Sequence, residues 1–256
     1  MRRGAFLLIA LLVAGLSLSP AGASAARTAA RPGLPGLMLW AWERPTDLRA
    51  LDAGIGVAFL SQTLIARKDG ISVEPRRNPL RVSPETPLVA VTRVESGGSL
   101  RLDAGKAMPA RLVTQMATAI AGTMALPRVR GVQIDFDATE SERTFYRALL
   151  HAVRRQLPAD AALSITALAS WCAGDRWMSG LPVDEAVPML FQMGTAHTPY
   201  ARIATSPAAA APACRSAVGT SLDEPLRLRA DARRVYVFNP VPWTPASIAR
   251  AREVMR

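Results

Sequence analysis

Short apolar runs alternate with longer mixed stretches along this chain, and the alternation predicts a strand–helix repeat. Residues 37–42 form the first strand-like run and 55–64 the second. A turn at Lys68-Asp69-Gly70 then sends 71–74 back as a hairpin. Further strands are expected at 88–94, 131–137, 163–169, 187–193, 217–222 and 235–238. Helices are expected from Thr46 to about Ala53 with Thr46 as N-cap, over 107–125, and over 140–157. In the last of these Phe145, Leu149, Leu150 and Val153 share one face. Thr244 or Pro245 opens a final helix over 246–255.

Most of these strands are continuous apolar runs rather than polar–apolar alternations, as when both faces of a sheet are covered. Eight of them alternating with helices predict an α/β fold, a single (β/α)8 barrel over residues 36–256. An open doubly wound sheet is the competing topology, but no Gly-rich phosphate loop follows the first strand.

The N-terminus changes the picture of where the protein works. Arg2 and Arg3 precede an apolar stretch over 5–18, and Pro20 with Ala23-Ser24-Ala25 makes a small-residue cleavage pattern. Residues 1–25 therefore read as a secretory signal peptide and 26–35 as a linker. No cysteine lies near the cleavage point, so no lipid anchor is expected, and no later segment is apolar enough to span a membrane. The expected location is periplasmic or secreted. In an oxidising compartment the two cysteines, Cys172 and Cys214, become a candidate disulfide that only geometry decides. Their spacing and the presence of only two histidines argue against zinc. No cofactor is expected.

The formal net charge is +11, nearly all of it from arginine, since Lys68 and Lys106 are the only lysines. The arginines are scattered, with short pairs such as Arg76-Arg77 and Arg154-Arg155. No basic tract with interleaved aromatics appears, which disfavours a nucleic-acid partner. An acidic polymer stays open through long-range attraction.

Candidate chemistry gathers where the strands of such a barrel would end. The stretch Gly131-Val132-Gln133-Ile134-Asp135-Phe136-Asp137 ends in two carboxylates on one face of a strand. Trp40, Trp42 and Glu43 end the first strand, Arg93 and Glu95 the third, and Trp171 follows the fifth. Gln192 belongs to the sixth, Asp223 and Glu224 follow the seventh, and Asn239 and Trp243 follow the eighth. Aromatic rings that stack on sugars, beside carboxyls that exchange protons, suit glycoside binding and cleavage. Asp137 is also open to a plain role as helix N-cap, and Asp135 to a buried pairing with an arginine.

The 131–137 stretch resembles the fourth-strand signature of chitinase-type glycoside hydrolases, Asp-Gly-x-Asp-x-Asp-x-Glu. Met189-Leu190-Phe191-Gln192 and Trp243 extend that resemblance. It implies that Asp137 stands at the general acid and Asp135 at the residue that orients the substrate. Gln133, Asp137, Phe191 and Gln192 depart from the pattern, which has Asp, Glu, Tyr and Asp there. A wider resemblance, carried by 133–138, 163–172, 183–194 and 238–244, is to a family of secreted bacterial proteins of unknown function. That resemblance implies a barrel in the glycoside-hydrolase style and no particular activity.

The leading expectation is a hydrolase of a polysaccharide or oligosaccharide. Asp137, with a raised pKa, is its acid; Asp135 modulates it, and Glu224 is a candidate second carboxylate. Trp40, Trp42, Glu43, Trp171, Gln192, Asn239 and Trp243 are its candidate sugar contacts. Two alternatives stay open: a non-catalytic carbohydrate-binding barrel of the cell envelope, and a metal-dependent hydrolase or deacetylase.

Overall fold

Strand β1 (Leu37–Ala41) pairs in parallel with β3 (Ile55–Arg67) on one side and with β11 (Arg234–Phe238) on the other. From β3 the parallel pairing continues through β6 (Leu88–Glu95), β7 (Val129–Asp135), β8 (Ala162–Leu168), β9 (Glu185–Met189) and β10 (Ala217–Ser221) to β11. Every strand of this set thus has two parallel neighbours, and the sheet closes into the expected eight-stranded barrel. The computed structural model describes residues 33–67, 70–97, 100, 109–193, 197–206, 210–224, 226 and 234–255. The expected signal peptide and most of the linker lie outside them.

Helix α1 (Ala110–Gly122) connects β6 to β7, and α2 (Arg143–Gln156) connects β7 to β8. Both lay an apolar stripe on the outside of the barrel, where Met116, Ile120, Phe145, Leu149 and Val153 pack against Val132 and Ile134. The Glu140–Glu142 turn that precedes α2 is fixed by Glu142, which accepts from the Thr139 N–H at 2.9 Å and the Thr139 hydroxyl at 2.8 Å. The short α3 (Ala169–Cys172) follows β8, α4 (His197–Thr205) lies between β9 and β10, and α5 (Pro245–Glu253) ends the fold with Thr244 as N-cap.

The expected helix at 46–53 is absent. Thr46–Leu48 is strand β2, paired in parallel with β5 (Leu80–Val82) as a separate two-stranded sheet. The three-residue spacing of Leu48 and Leu51 imitates a helical face, but residues 46–48 pair with the distant β5, and the Leu51 N–H closes a single turn on the Leu48 carbonyl at 3.1 Å. The expected hairpin is present: β4 (Gly70–Pro75) runs antiparallel to the far half of β3. The sixth barrel strand starts and ends earlier than expected, at Glu185 and Met189. Gln192, with φ of 54°, then turns the chain away.

Side-chain alternation sends Met38, Trp40, Val89, Val91, Val187 and Tyr236 to the barrel axis. Polar groups among them are joined in a chain. The Trp40 indole N–H donates to Gln133 Oε1 at 2.8 Å, and Gln133 Nε2 donates to Ser164 Oγ at 3.0 Å. Ser164 also hydrogen-bonds the Tyr236 hydroxyl, which donates to Glu185 Oε1 at 2.7 Å. Arg234 closes the chain as the ion-pair partner of Glu185 and donates to the Pro35 carbonyl at 3.0 Å. Gly219 leaves room for the Trp40 ring, since a Cβ there would lie 2.8 Å from it.

Cys172 and Cys214 form the disulfide, with 5.9 Å between their Cα atoms. It ties α3 to the turn at Pro212–Cys214 just before β10, and both residues are buried.

Two stability measurements follow from this packing. Reducing the disulfide, which closes a 42-residue separation, is expected to cost about 4 kcal/mol in a urea melt run with and without dithiothreitol. Arg234→Met leaves Glu185 buried without its cation and is expected to cost about 3–5 kcal/mol, part of which the added Glu185→Leu change restores.

Candidate active site

Asp135 ends β7 and has the same parity as Gln133, so its side chain enters the layer above the Trp40–Gln133 bond. On the neighbouring strands Arg93 stands in register with it, and the Thr166 hydroxyl donates to its Oδ1 at 2.7 Å. Burial pushes the Asp135 carboxyl above the usual carboxylate range. The Thr166 hydrogen bond opposes this, the Asp137 charge adds to it and the Arg93 charge opposes it, with the net shift upward. Asp137, two residues on, is exposed. A cleft of about 260 Å³ holds both carboxyls, and Arg93, Glu95 and Ser96 form its other wall. Tyr146 is fully buried with its hydroxyl at 3.5 Å from the Ile134 carbonyl. Burial, and then the charges of Asp135 and Asp137, push that phenol well above its usual value.

A second cleft, of about 310 Å³, adjoins the first and shares Arg93 and Glu95 with it. Trp42, Glu43, Thr63, Glu74 and Arg77 line its remainder. The Arg93 guanidinium lies 6.0 Å from the centre of the Trp42 ring and pairs with Glu95 at 3.1 Å. Glu43 accepts from the Asn78 side-chain amide at 2.7 Å and from the Asn78 backbone at 2.9 Å. Partial burial pushes the Glu43 carboxyl up. The Asn78 bonds, the Arg77 N–H and the Arg76 charge together outweigh that and hold it below its usual value. Arg76 ties together the backbone beneath by donating to the carbonyls of Ala41, Trp42, Arg44, Leu60 and Asn78.

The other expected site residues are placed as follows. Trp40 is 4 % exposed and fills the barrel axis, where it packs against Tyr236 and Phe191. Trp171 is 2 % exposed and meets Trp177 edge-on at 4.9 Å, in the layer outside the barrel. Neither offers a ring face at the rim. Trp243 is half-buried and donates from its indole N–H to the Trp40 carbonyl at 2.9 Å, strapping the last loop to β1. Asn239 is buried, with its amide 3.4 Å from the Pro242 carbonyl. Glu224 accepts from the Gln192 backbone N–H at 2.8 Å, and neither residue lines the two clefts. The middle of the mouth is covered by the stacked rings of Phe191 and Phe238, 5.5 Å apart. The structure thus brings Asp135, Asp137, Trp42 and Glu43 to one side of the mouth, over β1, β3, β6 and β7. His151 is exposed on α2, and the side chain of His197 lies outside the described residues.

Two points of the sequence reading change. Burial raises the pKa of the Asp135 carboxyl, while the Asp137 side chain is exposed. The turn before α2 is capped by Thr139 and Glu142, so Asp137 is not needed as an N-cap. Thr166, Arg76 and Asn78 escaped the sequence reading. Thr166 was findable, being two residues beyond Ser164 and hence on the inner face of β8. Among the described residues, no group of three or more His, Cys, Asp or Glu is placed to hold a metal ion.

Residues 84–199 match the family model described as a domain of unknown function (DUF3142). The matched stretch contains Asp135, Asp137, Arg93 and Glu95 and three of the four segments that carried the wider resemblance; 238–244 lies beyond it. No curated protein matches the chain.

The raised pKa of Asp135 has a definite sign in stability. Its folded carboxyl holds a proton more tightly than the unfolded one, so this contribution is full below the ordinary aspartate range. It is lost as pH rises through the unfolded and then the folded value. Asp135→Asn keeps an oxygen for Thr166 and removes the buried charge. It is expected to match the wild type in a urea melt at about pH 3 and to exceed it at about pH 7. Lower stability at both pH values would show that the charge is compensated in place.

Proposed function

We propose that the protein hydrolyses a glycosidic bond in a polysaccharide or oligosaccharide, in the periplasm or outside the cell. One observation carries this reading. A pair of carboxyls, Asp135 half-buried and Asp137 exposed, opens at the C-terminal end of the fourth barrel strand, into a cleft that adjoins a tryptophan ring. Asp137, on the open side, donates the proton to the leaving oxygen. Asp135, which burial biases toward its neutral form, keeps a second full charge out of the cleft and supports the carboxylate that proton donation leaves on Asp137. The second carboxylate of the reaction falls to Glu95, which shares the cleft, rather than to Glu224, which lines neither cleft.

A binding barrel without turnover is the second reading. The aromatic cover over the mouth favours it, because it leaves the site as side clefts at or below the lower end of the ordinary range for small-molecule pockets.

Reducing-end release from a glycan library, measured for wild type and Asp137→Asn side by side, separates these readings. Hydrolysis predicts at least one substrate whose cleavage falls about 100-fold or more in the variant. Equal rates in the two proteins overturn the assignment of Asp137. Binding of a glycan by wild type with no release of ends establishes the binding barrel.

A further inference from the structure

We propose that the cleft between Trp42 and the β3–β4 hairpin is a second sugar subsite that takes a neutral, hydroxyl-rich pyranose unit. The site would then engage consecutive units of a chain rather than a single sugar. The proposal rests on the carbohydrate reading above and adds to it the length and charge class of the ligand. Three observations carry it.

The first is continuity. Arg93 and Glu95 line both clefts, so a chain with one unit beside Asp135 and Asp137 reaches the outer cleft without leaving the protein surface. The second is shape. β3 runs for 13 residues, on past Phe59 where its pairing with β1 ends, and Thr63 of its far half with Glu74 and Pro75 of β4 forms one wall of the cleft. The wall faces Trp42, and about 310 Å³ between them lies within the range of small-molecule sites. Arg76 holds this geometry by anchoring the end of β1 and the middle of β3 to the base of the hairpin.

The third is charge balance. The chain carries +11 overall, yet two of the three carboxylates that line this cleft pair with guanidiniums and the third lies near Arg76. Glu95 pairs with Arg93 at 3.1 Å, Glu74 pairs with Arg77 at 3.6 Å, and Glu43 feels the charge of Arg76. The described lining thus presents no strong excess of either sign to select a uronic acid or an amino sugar. What remains is a ring of alternating donors and acceptors beside an aromatic face, the complement of a neutral sugar.

Binding of oligosaccharide ladders to Asp137→Asn protein, which blocks turnover, tests the proposal by calorimetry. The probes are cello-oligosaccharides and N-acetylated chito-oligosaccharides from monomer to hexamer, with oligogalacturonates and chitosan oligomers as charged counterparts. Affinity for one neutral ladder is expected to rise about tenfold between monomer and trimer and to change little with salt. Trp42→Ala is expected to remove that increment. Thr63→Phe, which fills the cleft from β3, checks that the loss is not a folding defect. The subsite is overturned if the trimer binds no better than the monomer, if both variants keep the increment, or if a charged ladder binds more tightly with a steep salt dependence. An increment that survives in both variants, in a protein whose turnover depends on Asp137, removes the subsite and leaves the hydrolase reading intact. Binding to none of the ladders removes both the subsite and the carbohydrate reading behind it.

Discussion

The buried chain of polar contacts through the barrel axis is the constraint on which the rest of this structure depends. A closed barrel of eight strands has an interior that side chains must fill, and each polar group placed there must find a partner. Here Trp40, Gln133, Ser164, Tyr236, Glu185 and Arg234 satisfy one another from the mouth to the base. They come from five different strands, so the contacts also fix how those strands sit relative to one another. Sliding one strand by a single residue would turn its inner side chains outward and break the chain at that point.

This filling determines where chemistry can occur. Trp40 occupies the axis below the mouth, and Phe191 and Phe238 close the space above it. The clefts therefore lie off the axis, over β1, β3, β6 and β7. There Arg93, Asp135 and Thr166 form the next layer up, one step above the Gln133–Ser164 bond. The same alternation that places Gln133 for a structural bond thus places Asp135 for the cleft. Gln133 and Asp135 do different work because they differ in depth: the amide is fully buried and doubly bonded, while the carboxyl meets the cleft.

The sequence made the parallel barrel legible because its strands are buried on both faces and leave unbroken apolar runs. α2 was legible for the opposite reason, its one apolar face being set off by arginines and other polar residues. What stayed hidden depended on distant partners. Glu185 reads as the end of a loop, and only Arg234 and Tyr236, 49 and 51 residues away, make it the first inner residue of β9. Leu48 and Leu51 suggest a helix until Leu80–Val82 supplies the pairing strand. Trp171 continues an apolar strand run in the sequence, but the backbone becomes helical at Ala169, and the ring turns into the outer layer beside Trp177. The location of the carboxylate pair was legible from strand parity. The division of labour within it was not, because burial depends on Thr166, Arg93 and Tyr146 rather than on residues adjacent in sequence.

That division is also the best argument for reading the two aspartates as a unit. A lone exposed aspartate at a strand end has little hold on a proton at neutral pH. A lone buried one is a cost in stability with no return unless something else uses it. Together, burial and the Asp137 charge bias Asp135 toward its neutral form, and in the proposed hydrolysis Asp137 is the member that the ligand reaches. The fold maintains the arrangement at some expense, by keeping Asp135 in a layer that Thr166 only partly satisfies. An apolar residue at 135 would pack the layer without that penalty. The carboxyl there is best explained by what lies above it.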